Sequence, residues 1–181
     1  MNLANVLTTI RLIFAPVFLL LLILGFYGWA LVIFCIAGFT DLIDGSVARY
    51  LGTTTRYGAV IDPLADKLLL GSCFISLTVF DVLPLWFTLI AIGRDLLITC
   101  GIFYLRFIQA PLLYRATYIS KVATFLQLAI AVIGLVFLWN TNISLIPVLQ
   151  FLCYVTALLL VVTGGHYVWL GFKLKAKREN I

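Results

Sequence analysis

The chain has 181 residues, of which 64% are hydrophobic and 10% charged, and its mean hydropathy is +1.19. A soluble domain carries about 25% charged residues, so this composition excludes a water-soluble globule, a disordered chain and a coiled coil. The net charge of +5 and the pI near 9.2 would suggest nucleic acid in a soluble protein; in so apolar a chain they are basic residues holding the cytoplasmic ends of membrane helices.

A hydrocarbon core about 30 Å thick takes roughly 20 helical residues, and hydropathy predicts an all-α integral membrane protein of six transmembrane helices forming one domain over 1–181. The first span covers about Asn5–Leu24 and ends at Gly25-Phe-Tyr-Gly28. It has no basic region ahead of its apolar stretch and no small-residue cleavage site, so it is kept as a span and not as a signal peptide. The second covers Trp29–Leu51; the third covers Gly58–Phe80 and closes at Asp81-Val-Leu-Pro84. The fourth covers Leu85–Phe107 and the fifth Tyr118–Trp139, before Asn140-Thr-Asn-Ile-Ser144. The sixth covers Leu145–Phe172 and leads into a short polar tail, Lys173–Ile181. The connections after spans one, three and five hold no Lys or Arg. The other connections, their edges and the tail carry Arg49, Arg56, Arg106, Arg115, Lys121, Lys173, Lys175, Lys177 and Arg178, which predicts both termini in the cytoplasm. Cys35, Cys73, Cys100 and Cys153 each stand alone in an apolar run. They support neither a disulfide framework nor a zinc site and are expected as small buried hydrophobes.

Of the seven acidic residues, four fall between positions 41 and 66: Asp41, Asp44, Asp62 and Asp66. A carboxylate at mid-bilayer costs roughly 2.5–3.5 kcal/mol even on the lenient insertion scale, so such residues persist where they pair, face water or bind cations. Asp41 and Asp44 are three apart and Asp62 and Asp66 four apart, which puts each pair on one helix face. Counted inward from Arg56, both pairs lie two or three turns beneath the cytoplasmic surface. Oxygen-only ligands suit hard divalent cations such as Mg²⁺, Mn²⁺ or Ca²⁺. The competing account is an ion-pair network with Arg49, Lys67 and Arg94, but carboxylates outnumber the nearby cations. A divalent-cation channel or transporter would also use such carboxylates, yet it has no use for the fixed Gly, Ala and Arg positions around them.

Those positions form D-x2-D-G-x2-A-R-x8-G-x3-D-x3-D, from Asp41 through Asp44, Gly45, Ala48, Arg49, Gly58 and Asp62 to Asp66. This pattern resembles the CDP-alcohol phosphotransferases, integral membrane enzymes of phospholipid synthesis. Asn5, Leu7, Thr8, Arg11 and Pro16 resemble the N-terminal motif of the phosphatidylglycerophosphate and CDP-type cardiolipin synthase branch. Arg94-Asp95 and Ser120-Lys121-Val-Ala-Thr124-Phe-Leu-Gln127 resemble its Arg-acid pair and its lysine motif. The resemblance implies a six-helix fold, a homodimer, a site opening to the cytoplasmic leaflet, and transfer of a phosphatidyl group from CDP-diacylglycerol to an alcohol with release of CMP. It implies that Asp41, Asp44 and Asp62 hold two cations, Mg²⁺ or Mn²⁺, together with Asp66, which is also the general base. It assigns Gly45, Ala48, Arg49, Gly58, Asn5 and Arg11 to CDP-diacylglycerol.

Arg94, Lys121, Arg106 and Arg115 are the candidate acceptor-binding residues. A solitary intramembrane Arg is a functional candidate, with a salt bridge from Arg94 to Asp95 or to the Asp cluster as the alternative. Lys121 reads as a phosphate-binding point charge or an interfacial anchor, Arg11 as a phosphate contact or a snorkelling residue, and His166 as interfacial and non-catalytic. The glycerol 3-phosphate users of this branch commonly carry a second Arg eight residues after the first, where this chain has Ile102, and a K-x-K pair, where it has Lys121-Val-Ala123. Fewer cations favour phosphatidylglycerol as acceptor, with glycerol 3-phosphate as the alternative.

Overall fold

The computed structural model describes the backbone of residues 3–51, 58–107, 118–141 and 145–179, and the side chains of 13–40, 67–101, 103, 118–141 and 145–168. Among these residues the chain is all-helical: α1 Leu3–Ile23, α2 Tyr27–Leu51, α3 Gly58–Val79, α4 Leu85–Phe107, α5 Tyr118–Trp139 and α6 Ile146–Glu179. The bounds of α4 and α5 are those expected from hydropathy; α1, α2 and α6 shift by one or two residues at their starts, α3 keeps its start at Gly58, and α1 and α3 each end one residue early. The exception is the end of α6. Its backbone stays helical through Lys173, Lys175, Lys177, Arg178 and Glu179, where a span ending at Phe172 and a polar tail were expected. Hydropathy drops there, but Lys, Arg, Ala and Glu are good helix formers and neither Gly nor Pro follows Gly171 to stop the helix.

Two helices among the described residues, Tyr118–Trp139 and the Ile146–Val168 part of α6, are long and apolar enough to cross a membrane. Shorter apolar stretches occupy Ile13–Ile23, Tyr27–Thr40 and Lys67–Val79.

The helices fall into two compact units. The first comprises residues 1–83 and 131–146. In it α1 packs on both α2 and α3, and α2 also touches α3. The inward stripes are Phe18 and Leu22 on α1, Ala30, Phe34 and Ala37 on α2, and Leu69, Cys73, Phe74 and Leu77 on α3, each repeating every three or four residues as a helix face requires. Phe18 and Phe34 rings lie 5.8 Å apart, and Tyr27 meets Phe80 edge-on at 5.8 Å. Gly134 of α5 lets that helix approach α3: a Cβ there would fall 2.8 Å from Leu77 Cδ1.

The turns after α1 and α3 share one design. The Phe26 amide donates to the Leu21 carbonyl and that of Gly25 to the Leu22 carbonyl; Val82 and Asp81 do the same to Leu77 and Thr78. This is the Schellman arrangement, which satisfies the last carbonyls of a helix and needs a left-handed residue at its end. Gly25 supplies φ 78° at no steric cost, and Asp81 holds φ 57°, a conformation that Asp tolerates better than most side chains.

The second unit comprises residues 84–130 and 147–181. Its buried stripes are Phe87, Thr88, Ala91 and Arg94 on α4, Ser120, Ala123, Gln127 and Ile130 on α5, and Leu149, Cys153, Thr156, Leu160 and Thr163 on α6. Trp86 of α4 stacks on Tyr154 of α6, with centroids 5.1 Å apart. The cysteines divide. Cys73 and Cys153 are buried as expected, whereas Cys35 and Cys100 are exposed. Cys35 is next to buried Phe34, and one residue's rotation, about 100°, carries it off the inward stripe.

Candidate active site

Asp41, Asp44, Gly45, Ala48 and Arg49 all fall within α2, and Gly58, Asp62 and Asp66 within α3. Both stretches of backbone are continuously helical, so the three- and four-residue spacings hold. Positions 41, 44, 45 and 48 share one face of α2, and positions 58, 62 and 66 share one face of α3. The two helices pack in the same unit. The side chains of all eight residues lie outside the described ones, as do those of Asn5 and Arg11 on α1 and Arg106 on α4; Arg115 is outside altogether. Among the described residues no three His, Cys, Asp or Glu gather as a metal site. The donor set on α2 and α3 fits a hard divalent cation: four carboxylates at helical repeat, with neither sulfur nor imidazole among them.

In the second unit the structure brings together Arg94, Asp95, Ser120, Gly164 and Tyr167. Arg94 is 8% exposed. One terminal nitrogen donates to Asp95 Oδ1 at 2.7 Å, and the other donates to Ser120 Oγ of α5. The guanidinium carbon stands 6.0 Å from the Tyr167 ring centroid, within cation–π range. A Cβ at Gly164 would meet the Arg94 stem at 3.7 Å, so that part of α6 lies alongside the side chain. The Nε of Arg94 is buried without a partner. Arg94 thus carries a charge paired with Asp95 and fixed by α5 and α6, with its Nε unpartnered. Lys121 is exposed, its Nζ 5.7 Å from the Tyr118 ring centroid. His166 is exposed beside Tyr167, ring centroids 6.3 Å apart.

Sequence reasoning missed the partnership of Arg94 with Ser120 and Tyr167, which lie 26 and 73 positions away on other helices. Ser120 stood in a recognised motif, but nothing in local spacing marks Tyr167. It also missed the full burial of Gln127, another member of that motif, and of Thr156.

Helical carboxylate pairs on two packed helices, in so apolar a chain, suit the holding of hard divalent cations. The chain belongs to the CDP-alcohol phosphatidyltransferase family, whose model matches residues 1–170. It is therefore a phosphatidyltransferase of phospholipid synthesis. It is 37% identical over 179 residues to a Mycobacterium tuberculosis protein named probable phosphatidylglycerophosphate synthase, covering 92% of this chain and 80% of that one. It is 34% identical to a Drosophila melanogaster protein named probable cardiolipin synthase (CMP-forming), covering 93% of this chain and 57% of that one. A Bacillus subtilis CDP-diacylglycerol–glycerol-3-phosphate 3-phosphatidyltransferase is 31% identical, with 92% and 93% covered.

Proposed function

We propose that this enzyme transfers the phosphatidyl group of CDP-diacylglycerol to a hydroxyl of phosphatidylglycerol, releasing CMP and forming cardiolipin. The observation that carries the transferase chemistry is the eight-position motif set on unbroken helical backbone of α2 and α3. Asp41, Asp44, Asp62 and Asp66 would hold two divalent cations, Mg²⁺ or Mn²⁺, which when bound neutralise the pyrophosphate and the charge developing on it. Gly45, Ala48 and Gly58 leave room for the cytidine and pyrophosphate. Arg49, Asn5 and Arg11 meet phosphate. Asp66 takes the proton of the acceptor hydroxyl. The hydroxyl oxygen bonds to the phosphorus beside the diacylglycerol, the bond from that phosphorus to the bridging oxygen breaks, and CMP carries the bond's electrons away. Arg94, Lys121, Arg106 and Arg115 serve the acceptor.

Phosphatidylglycerol is favoured by the charge around Arg94. A phosphate monoester carries close to two charges near neutrality and a diester carries one. Asp95 at 2.7 Å already offsets Arg94, and Ile102 and Ala123 stand where a second Arg and a second Lys would serve a monoester. Glycerol 3-phosphate is the second reading, favoured by the 37% identity to the mycobacterial relative. The enzyme works as six membrane spans in a single domain and as a homodimer, with both termini and the site on the cytoplasmic side. The basic asymmetry of its connections supports the orientation, and the family match across 1–170 supports the single domain. The test is purified protein in vesicles with CDP-diacylglycerol, Mg²⁺ and separate acceptors: glycerol-type alcohols should release CMP and yield lipid product, whereas serine and inositol should not. CMP release with serine or inositol alone would overturn the acceptor class.

A further inference from the structure

We infer that the core of the α4–α5–α6 unit holds a binding site for a small hydroxyl group, formed by the Gln127 amide and the Thr156 hydroxyl. Both residues are 0% exposed, and Gln127 Nε2, Gln127 Oε1 and Thr156 Oγ1 are all without a partner. Buried polar groups are almost always satisfied, the more so where lipid surrounds the helices and no bulk water is available. Thr156 is also turned unlike its neighbours. Thr40, Thr78, Thr99, Thr124 and Thr163 each donate to the carbonyl four residues back on their own helix, the usual refuge of a helical hydroxyl. Thr156 does not take it.

The two residues lie at one level. Arg94 touches Ser120 of α5 and runs beside Gly164 of α6. From there Gln127 is seven residues along α5 and Thr156 eight residues back along α6, about 10 and 12 Å at 1.5 Å per residue. The directions coincide, because α5 and α6 are joined by only six residues and so run antiparallel. The Trp86–Tyr154 stack and the Arg94–Gly164 approach make α4 parallel to α6, which brings buried Thr88 to the same depth, about 9 Å from Arg94 by the same rise. The neighbouring core positions Ala91 and Ala123 are both 0% exposed and are small.

The ligand chemistry follows from the groups. An amide offers a donor and an acceptor, and threonine either one. A hydroxyl that gives one hydrogen bond and takes another satisfies them; a carboxylate, phosphate or cation does not. Such a hydroxyl comes from an ordered water or from the free, non-reacting hydroxyl of a glycerol-type acceptor. The second source rests on the function proposed above.

The experiment uses the full chain with Gln127→Leu, Thr156→Val and, as the variant that keeps its hydroxyl, Thr156→Ser. If the acceptor supplies the group, Gln127→Leu and Thr156→Val raise the KM for phosphatidylglycerol about tenfold each, the worth of one neutral hydrogen bond. The KM for CDP-diacylglycerol and the unfolding temperature without acceptor then stay at parental values. If water supplies it, both variants lower the unfolding temperature by several degrees at unchanged KM, and a high-resolution structure of the parent shows density for one water between the side chains. Thr156→Ser behaves as the parent in either case. Parental unfolding temperature and KM in both Gln127→Leu and Thr156→Val, a higher unfolding temperature at unchanged KM, or direct amide–hydroxyl contact with no density between overturns the site. Failure of the parent to use any glycerol-type acceptor would instead refute the proposed function, and the unfolding and density readouts would still decide the site.

Discussion

Removing the carboxylate beside Arg94 tests whether the guanidinium is held as described. The Arg94 side chain is 7% exposed and that of Asp95 16%, so the pair is largely withdrawn from water. Asp95→Ala leaves a buried cation with the Ser120 hydroxyl and the Tyr167 ring as its described partners. Breaking a buried ion pair costs about 3–5 kcal/mol, and the partial exposure of Asp95 places this case near the lower figure. In a chain of this size each kcal/mol moves the midpoint by roughly 2–4 °C, so the unfolding temperature should fall by about 6–12 °C. The double variant Arg94→Met/Asp95→Ala removes the stranded charge and should recover most of that loss, because a buried pair is often replaced by apolar residues at little cost. Its CMP release should nonetheless stay low, since a methionine donates nothing to an acceptor phosphate. Thermal unfolding in detergent and a CMP assay on the same preparations read both effects. An Asp95→Ala protein that melts within 2 °C of the parent would refute the reasoning, as would a double variant no more stable than the single one.

The other predictions address the two packed helices and the chemistry. Gly134→Val places a Cβ 2.8 Å from Leu77 Cδ1 and should cost about 1–3 kcal/mol by overpacking; Leu77→Val in the same chain should return part of it, as thermal unfolding would register. Asp66→Asn should lower turnover by about 10²–10⁴-fold, the worth of a general base, while membrane insertion and CDP-diacylglycerol binding persist; near-normal turnover removes Asp66 from the mechanism. Chelation should abolish CMP release, and Mg²⁺ or Mn²⁺ should restore it; full activity in excess chelator ends the two-cation account.

The bounds of α4 and α5 were legible in the sequence because polar or proline-bearing segments, Asp81-Val-Leu-Pro84, Gln109-Ala-Pro111 and Asn140-Thr-Asn142, punctuate the long apolar runs. The motif was legible because helical repeat is fixed, so Asp41 and Asp44, or Asp62 and Asp66, share a face wherever the backbone is helical. The true end of α6 was hidden from hydropathy, which registers the loss of apolar character at Lys173 but not the helix-forming tendency of the same residues. The setting of Arg94 was hidden for another reason. Asp95 is its neighbour in the chain, but Ser120, Gly164 and Tyr167 reach it only through packing of α4, α5 and α6. Gln127 and Thr156 illustrate the same limit: Gln127 looks like one member of a motif and Thr156 like a solitary polar residue in an apolar run, and only burial without a partner makes them informative.

The central claim is tested most directly by the initial rate of CMP release from CDP-diacylglycerol with phosphatidylglycerol or with glycerol 3-phosphate, measured side by side on one purified preparation with Mg²⁺. Each charge-assisted contact to phosphate is worth roughly 1.5–3 kcal/mol, and the Arg and Lys that would supply two of them are replaced by Ile102 and Ala123. The account predicts a faster rate with phosphatidylglycerol and cardiolipin as the lipid product; efficient use of glycerol 3-phosphate with phosphatidylglycerol ignored would contradict it.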